Sequence, residues 1–135
     1  MLHNKPDNDK ACSIYSFIVK SLIDMNLSKR TIKRDPVLAL FCNRLLARLG
    51  TDLKELWLFG SRARGDNQED SDYDVLVVTA GPEADRRVVV LDEGFSILEE
   101  RQKWIGLVVY SPEHWKLNHD SILGRNIIKD GIRLL

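Results

Sequence analysis

Two short apolar runs, Leu56–Phe59 and Val75–Val78, carry no helical period, and each has the length of a buried strand. The stretch between them is polar: Gly60-Ser61, a basic segment with Arg62 and Arg64, and the acidic loop Asp66–Asp70. Upstream, apolar residues return every three or four positions. Ile14, Ile18, Leu22 and Met25, with Phe17 beside them, predict a helix over Ala11–Leu27. A basic break follows, Ser28–Arg34, which is either a solvated linker or a contact for an acidic partner or a phosphate. Asp35-Pro36 then opens a second helix, because Asp caps well and Pro fits the first turn. Val37, Leu40, Phe41, Leu45 and Leu49 form its apolar face, Gly50 stops it, and Thr51–Glu55 turns the chain into the first strand.

Downstream, Gly81-Pro82 ends the second strand. Glu83–Lys103 fits a helix with Ala84, Val88, Leu91, Phe95 and Leu98 on the apolar side, although Arg87–Leu91 holds a β-branched run and Gly94 weakens a long helix. Trp104–Tyr110 reads as a third strand, and Ser111-Pro112-Glu113 opens a short helix. Asp120–Lys129 is a last helix with Ile122, Leu123, Ile127 and Ile128 apolar, and Ile132–Leu135 a short closing strand.

Composition narrows the class. A chain of 135 residues with zero formal net charge and 30% charged residues is expected to be one soluble globular domain. That balance argues against direct nucleic-acid binding and against an anionic-membrane surface. No apolar run approaches membrane-spanning length, and residues 1–10 lack a signal-peptide pattern, so a cytoplasmic setting is expected. Cys12 and Cys42 sit in apolar helical patterns and read as buried, reduced thiols. His3, His114 and His119 have no ligand partner at zinc spacing, and Trp57, Trp104 and Trp115 read as core or half-buried anchors.

The candidate chemistry lies between the two apolar runs. Residues two apart in a strand share a face, so Asp72 and Asp74, at the entry to the second strand, aim two carboxylates at one spot. Gly60-Ser61 lies where the first strand passes into a helical turn, whose free N–H groups suit a phosphate. A phosphate-binding turn facing two carboxylates is a layout for a divalent metal and a nucleoside triphosphate.

Gly60-Ser61, Ala63-Arg64-Gly65 and Ser71-Asp72-Tyr73-Asp74, with ten residues between Ser61 and Asp72, closely resemble the signature of the DNA polymerase beta-like nucleotidyltransferases, most of all the minimal nucleotidyltransferase (MNT) branch. The resemblance implies an α+β fold: a small mixed sheet flanked by helices, with helices on one face, over residues 35–135. Residues 1–34 would be an N-terminal helical extension whose helix covers the domain's own sheet or another subunit in a homo-oligomer. It implies Asp72 and Asp74 as catalytic metal ligands for Mg²⁺, and Gly60, Ser61 and Arg64 as nucleotide-binding residues. Arg62 and Arg64 are placed either to contact a triphosphate or to serve as surface or carboxylate-paired arginines. The implied reaction is transfer of a nucleoside monophosphate, AMP from ATP, to a hydroxyl. Members of the branch are paired with HEPN-domain partners as toxin–antitoxin modules, and the acceptor is then a tyrosine of that partner.

The chain departs from the family at one place. A third carboxylate is expected on the next strand in a V-D-V-V type context, and Ile105-Gly106-Leu107-Val108-Val109 puts Gly106 there. Asp92 would be the fallback donor if Val88–Leu91 were a strand. The alternative function is therefore a degraded domain that binds nucleotide or partner without transfer.

Overall fold

The computed structural model describes residues 34–135. The helix expected over Ala11–Leu27, Cys12, His3 and Ser28–Lys33 lie outside the described residues. The elements run α1 (Pro36–Leu49), a 3-10 turn (Gly50–Asp52), β1 (Leu53–Phe59), α2 (Ser61–Arg64), β2 (Tyr73–Thr79), α3 (Glu83–Arg101), β3 (Ile105–Tyr110), α4 (Pro112–Leu117), α5 (Ile122–Asp130) and β4 (Ile132–Arg133). The sheet order is β3-β2-β1-β4. β1 is antiparallel to both β2 and β4, and β2 is parallel to β3, so the sheet is mixed as expected. Strand β1 is longer than its apolar run: Leu53 already pairs with Thr79.

Strand parity divides the core. Val75 and Val77 point to the face covered by α1 and α3, where Leu38, Phe41, Cys42, Leu45, Val90 and Ile97 are fully buried. Leu76 and Val78 point to the other face and meet Trp115 of α4 and Ile127 of α5. The expectation of helices on one face is thus corrected: α4 and α5 form a second, smaller layer. Asp35 caps α1 as its position predicts, its Oδ1 accepting from Val37 N and Leu38 N at 3.1 Å. Burial pushes the Cys42 thiol up to about 12.

Helix α3 forms, but it buries a different side from the one its spacing suggests. Val90, Glu93, Gly94 and Ile97 face inward, whereas Val88, Leu91 and Phe95 are exposed. Two local causes fix the rotation. A Cβ at Gly94 would come within 2.9 Å of Leu107 Cδ1, so the glycine is what lets the helix lie close on β3. Arg48 of α1 holds Asp92 at 2.6 Å and Glu93 at 3.1 Å, and Arg44 holds Glu100 at 2.8 Å. Asp92 is therefore on a helix and tied to α1, not a strand residue available as a third carboxylate. Ile122 and Ile128 of α5 are likewise exposed, leaving Ile127 as that helix's core residue.

Candidate functional site

The site forms where β1 ends and β2 begins. The first strand delivers Phe59 opposite Asp74, and Gly60 turns the chain at φ 73°, ψ −157°, a conformation essentially confined to glycine. A Cβ at Gly60 would land on Asp74 Oδ2. The backbone of the turn and the Asp74 carboxylate are thus in direct contact. One helical turn follows, Ser61–Arg64, closed by Arg64 N on Gly60 O at 3.1 Å and Gly65 N on Ser61 O at 2.9 Å. Ser61 is half-buried at the start of that turn.

Asp72 is exposed and lies one residue before β2, while Asp74 is half-buried within it. Burial raises the Asp74 carboxyl above its usual range, the charge of Asp72 raises it further, and Arg64 opposes both. The two carboxylates are therefore electrostatically coupled, and Arg64 is near enough to act on the same spot. Its guanidinium is exposed, with Nε 3.2 Å from Asp66 Oδ2.

On the other flank of β2, Gly106 is the register partner of Asp74. A Cβ there would lie 3.1 Å from Asp74 Oδ1, so a side chain at position 106 would meet that carboxylate. Among the described residues, no group of three or more His, Cys, Asp or Glu side chains is gathered to hold a metal ion. The donor set consists of two carboxylate side chains. Hard oxygen donors of like charge, with Asp72 near enough to add to the upward shift that burial gives Asp74, suit a hard divalent cation that would relieve the repulsion.

Arg62 points elsewhere. Its Nε donates to Ser71 O at 2.9 Å, its Nη2 to Glu69 O at 3.0 Å, and its guanidinium lies 4.0 Å from the Tyr73 ring centre. Tyr73 OH in turn donates to the Asp35 carboxylate at 2.7–2.8 Å. This cluster anchors the residues on both sides of Asp72 to the start of α1. Asp35 thus serves as hydroxyl acceptor as well as helix cap, a link that capping preference alone does not predict. Parity carries the missing signal: Tyr73 alternates with Asp74 and so must face α1, where a buried hydroxyl needs an acceptor. Trp57 and Trp115 meet edge to face beneath the other layer, whereas Trp104 is 49% exposed.

The Nucleotidyltransferase domain family matches residues 41–128, most of the chain, and the chain belongs to that family. Its fold is similar to a crystal structure from Sulfolobus solfataricus described provisionally as a nucleotidyltransferase: 24% identity, TM-score 0.50, covering 78% of this chain and 80% of that one. It is also similar to a toxin–antitoxin structure with AMP-PNP: 20% identity, TM-score 0.52, covering 70% of each chain. No curated protein matches the chain. Among the described residues no helix is long and apolar enough to cross a membrane.

Proposed function

We propose that this domain binds a Mg²⁺–nucleoside triphosphate, ATP, at the junction of β1 and β2 and works as the antitoxin subunit of a pair, its partner a HEPN-type protein. The observation that carries the reading is the Asp74 carboxylate packed against the Gly60 turn, with the charge of Asp72 acting on it. Asp72 and Asp74 would hold the Mg²⁺ on its triphosphate. When bound, that ion supplies charge neutralisation at the α-phosphate and the leaving pyrophosphate. Gly60 and Ser61 offer backbone at the turn, and Arg64 adds positive charge at its rim. Family membership and the toxin–antitoxin likeness support a nucleotide ligand and a protein partner. Transfer of AMP to a hydroxyl of that partner is the reaction such a site would perform.

A second reading, binding without transfer, is favoured by the pairing of Gly106 with Asp74. The position best placed to add a third carboxylate has no side chain. Among the described residues no further carboxylate then stands beside Asp74 to take the proton from an attacking hydroxyl. Labelled ATP, Mg²⁺ and the partner protein, assayed with wild type and Gly106→Asp side by side, separate the two readings. Little transfer by wild type and clear transfer by Gly106→Asp is the expected result. Robust wild-type transfer would show that the third acid comes from elsewhere, the partner included. Calorimetry with Mg²⁺-ATP tests binding by itself, and no measurable affinity would overturn both readings.

A further inference from the structure

Of the two carboxylates at the site, Asp74 is held by the sheet and Asp72 is not. Strand β2 begins at Tyr73, so Asp72 stands one residue outside it, and its place depends on the chain to either side. That chain is tied down. Ser71 N donates to Gln68 O at 3.1 Å, and Ser71 Oγ accepts from Gln68 N at 2.9 Å, which closes a turn before Asp72. After Asp72, Tyr73 N donates to Trp104 O at 3.0 Å.

The remaining contacts converge on Arg62, which follows the Gly60-Ser61 turn directly. Its Nε bond to Ser71 O and its Nη2 bond to Glu69 O lie on one side of Asp72, and its stacking on the Tyr73 ring lies on the other. Lys103, in the connection between α3 and β3, donates Nζ to the same Glu69 carbonyl at 2.8 Å. Asp35 Oδ2, 4.0 Å from Arg62 Nη1, balances the charge. The Arg62 side chain is 12% exposed, so its guanidinium is committed to this segment. The contacts need a planar fork: a lysine carries the same charge but, with one nitrogen, cannot serve two carbonyls and stack on a ring.

We propose that Arg62 is the positioning residue for Asp72. It ties the strand entry to the Gly60-Ser61 turn and so fixes the Asp72 carboxylate where it and Asp74 can share one divalent cation. The inference rests on the reading of Asp72 and Asp74 as the holders of Mg²⁺ on a triphosphate. It adds that Arg62 acts on nucleotide binding through Asp72 and not by touching the phosphates. Replacing its geometry while keeping its charge therefore weakens binding, and does so in proportion to what Asp72 contributes.

A double-mutant cycle on the full chain tests this, with Arg62→Lys, Asp72→Ala and the two combined, read as Mg²⁺-ATP affinity by calorimetry. Arg62→Lys should weaken binding roughly fivefold in the wild-type background and less than about twofold in the Asp72→Ala background. Equal losses in both backgrounds would overturn the proposal, because a direct phosphate contact or a general loss of order acts with or without Asp72. Wild-type affinity in Arg62→Lys would overturn it too. Wild-type affinity in Asp72→Ala would instead remove the metal reading beneath it, and the two failures are thereby told apart. Hydrogen exchange by NMR gives a reading that needs no nucleotide. Arg62→Lys should speed exchange at the Gln68, Ser71 and Tyr73 amides and leave Val75–Val78 protected. Lys103→Ala, which removes an exposed bond to Glu69 O, should do the same to a smaller extent and serves if Arg62→Lys does not fold. Unchanged exchange at those three amides in both variants would also overturn the proposal.

Discussion

Two glycines flank one carboxylate. Gly60 touches Asp74 from the β1 side, and Gly106 from the β3 side. They are glycines for different reasons. Gly60 sits at φ 73°, and any Cβ there would strike Asp74 Oδ2, so both backbone and packing exclude a side chain. Gly106 has an ordinary strand backbone, and its Cβ would approach Oδ1 only to 3.1 Å, a contact that a shift of a few tenths of an ångström relieves. The fold demands the first glycine but not the second. What stands at position 106 is therefore a matter of chemistry, and that is why the residue bears on whether this nucleotidyltransferase domain transfers or only binds.

The largest expected effect is at the demanded glycine. Gly60→Val should weaken Mg²⁺-ATP binding by on the order of a hundredfold, since the strained turn and the displaced Asp74 carboxylate act together. Isothermal calorimetry on the purified variant checks it, with circular dichroism to confirm that the sheet survives. Binding within a factor of two of wild type would remove the turn from the site and with it the contrast between the two glycines.

Asp74 itself comes next. Asp74→Ala should weaken Mg²⁺-ATP binding by roughly tenfold or more, because one fewer carboxylate leaves the metal and triphosphate charges less compensated. The same residue has an opposite effect on the metal-free fold. Burial and the Asp72 charge raise its carboxyl, so the folded state holds that proton to higher pH than the unfolded chain does. Its contribution to stability is present below the unfolded value and is lost as pH rises through the folded one. Asp74→Asn should therefore melt no lower than wild type at neutral pH without Mg²⁺, and the gap should close as the pH falls into the carboxylate range. A clear loss of Tm in Asp74→Asn at neutral pH would show that the charged carboxylate is stabilised by a contact other than the cation.

Much of this contrast was legible in the sequence. Gly60-Ser61, Ser71–Asp74 and the two apolar runs are local patterns, and the elements form where those patterns place them. Gly106 stood out because the family resemblance implies an acid at that place in the third strand, and the structure pairs it with Asp74. What was not legible depends on distant partners. The rotation of α3 is set by Gly94 against Leu107 and by Arg44 and Arg48 of α1, none of which its own periodicity contains. The structural role of Arg62 depends on the carbonyls of Glu69 and Ser71, which face it only after the loop has folded. The α4–α5 layer was missed for the same reason: Trp115 and Ile127 are single core residues in short helices, and only the sheet shows what they cover.

The anchor behind Asp72 separates stability from binding. Asp35→Ala removes the cap of α1 and the acceptor of the Tyr73 hydroxyl together. The expected loss is about 2 kcal/mol of unfolding free energy, from a lost N-cap and an orphaned buried hydroxyl. Binding of Mg²⁺-ATP should fall only about threefold below the unfolding transition, since neither carboxylate is touched directly. Urea melts and calorimetry on one preparation measure both. A binding loss as large as that of Asp74→Ala, with little change in stability, would place Asp35 in the nucleotide site.

The smallest expected effect is at the glycine the fold does not demand. Gly106→Ala adds one methyl group 3.1 Å from Asp74 Oδ1, in a strand backbone that alanine adopts without strain. Two small terms oppose each other. Losing the conformational freedom of a glycine in the unfolded chain stabilises by about 0.4–1 kcal/mol, and the close contact with the carboxylate costs a comparable amount. Net stability should therefore change by less than about 1 kcal/mol, and Mg²⁺-ATP affinity by less than about threefold. Chemical denaturation and calorimetry of Gly106→Ala beside Gly60→Ala make the comparison direct. Gly60→Ala meets both the positive φ and the carboxylate, and it should lose far more of each quantity. If Gly106→Ala were as damaging as Gly60→Ala, the glycine at 106 would be a requirement of packing, and its presence would say nothing about a missing third acid.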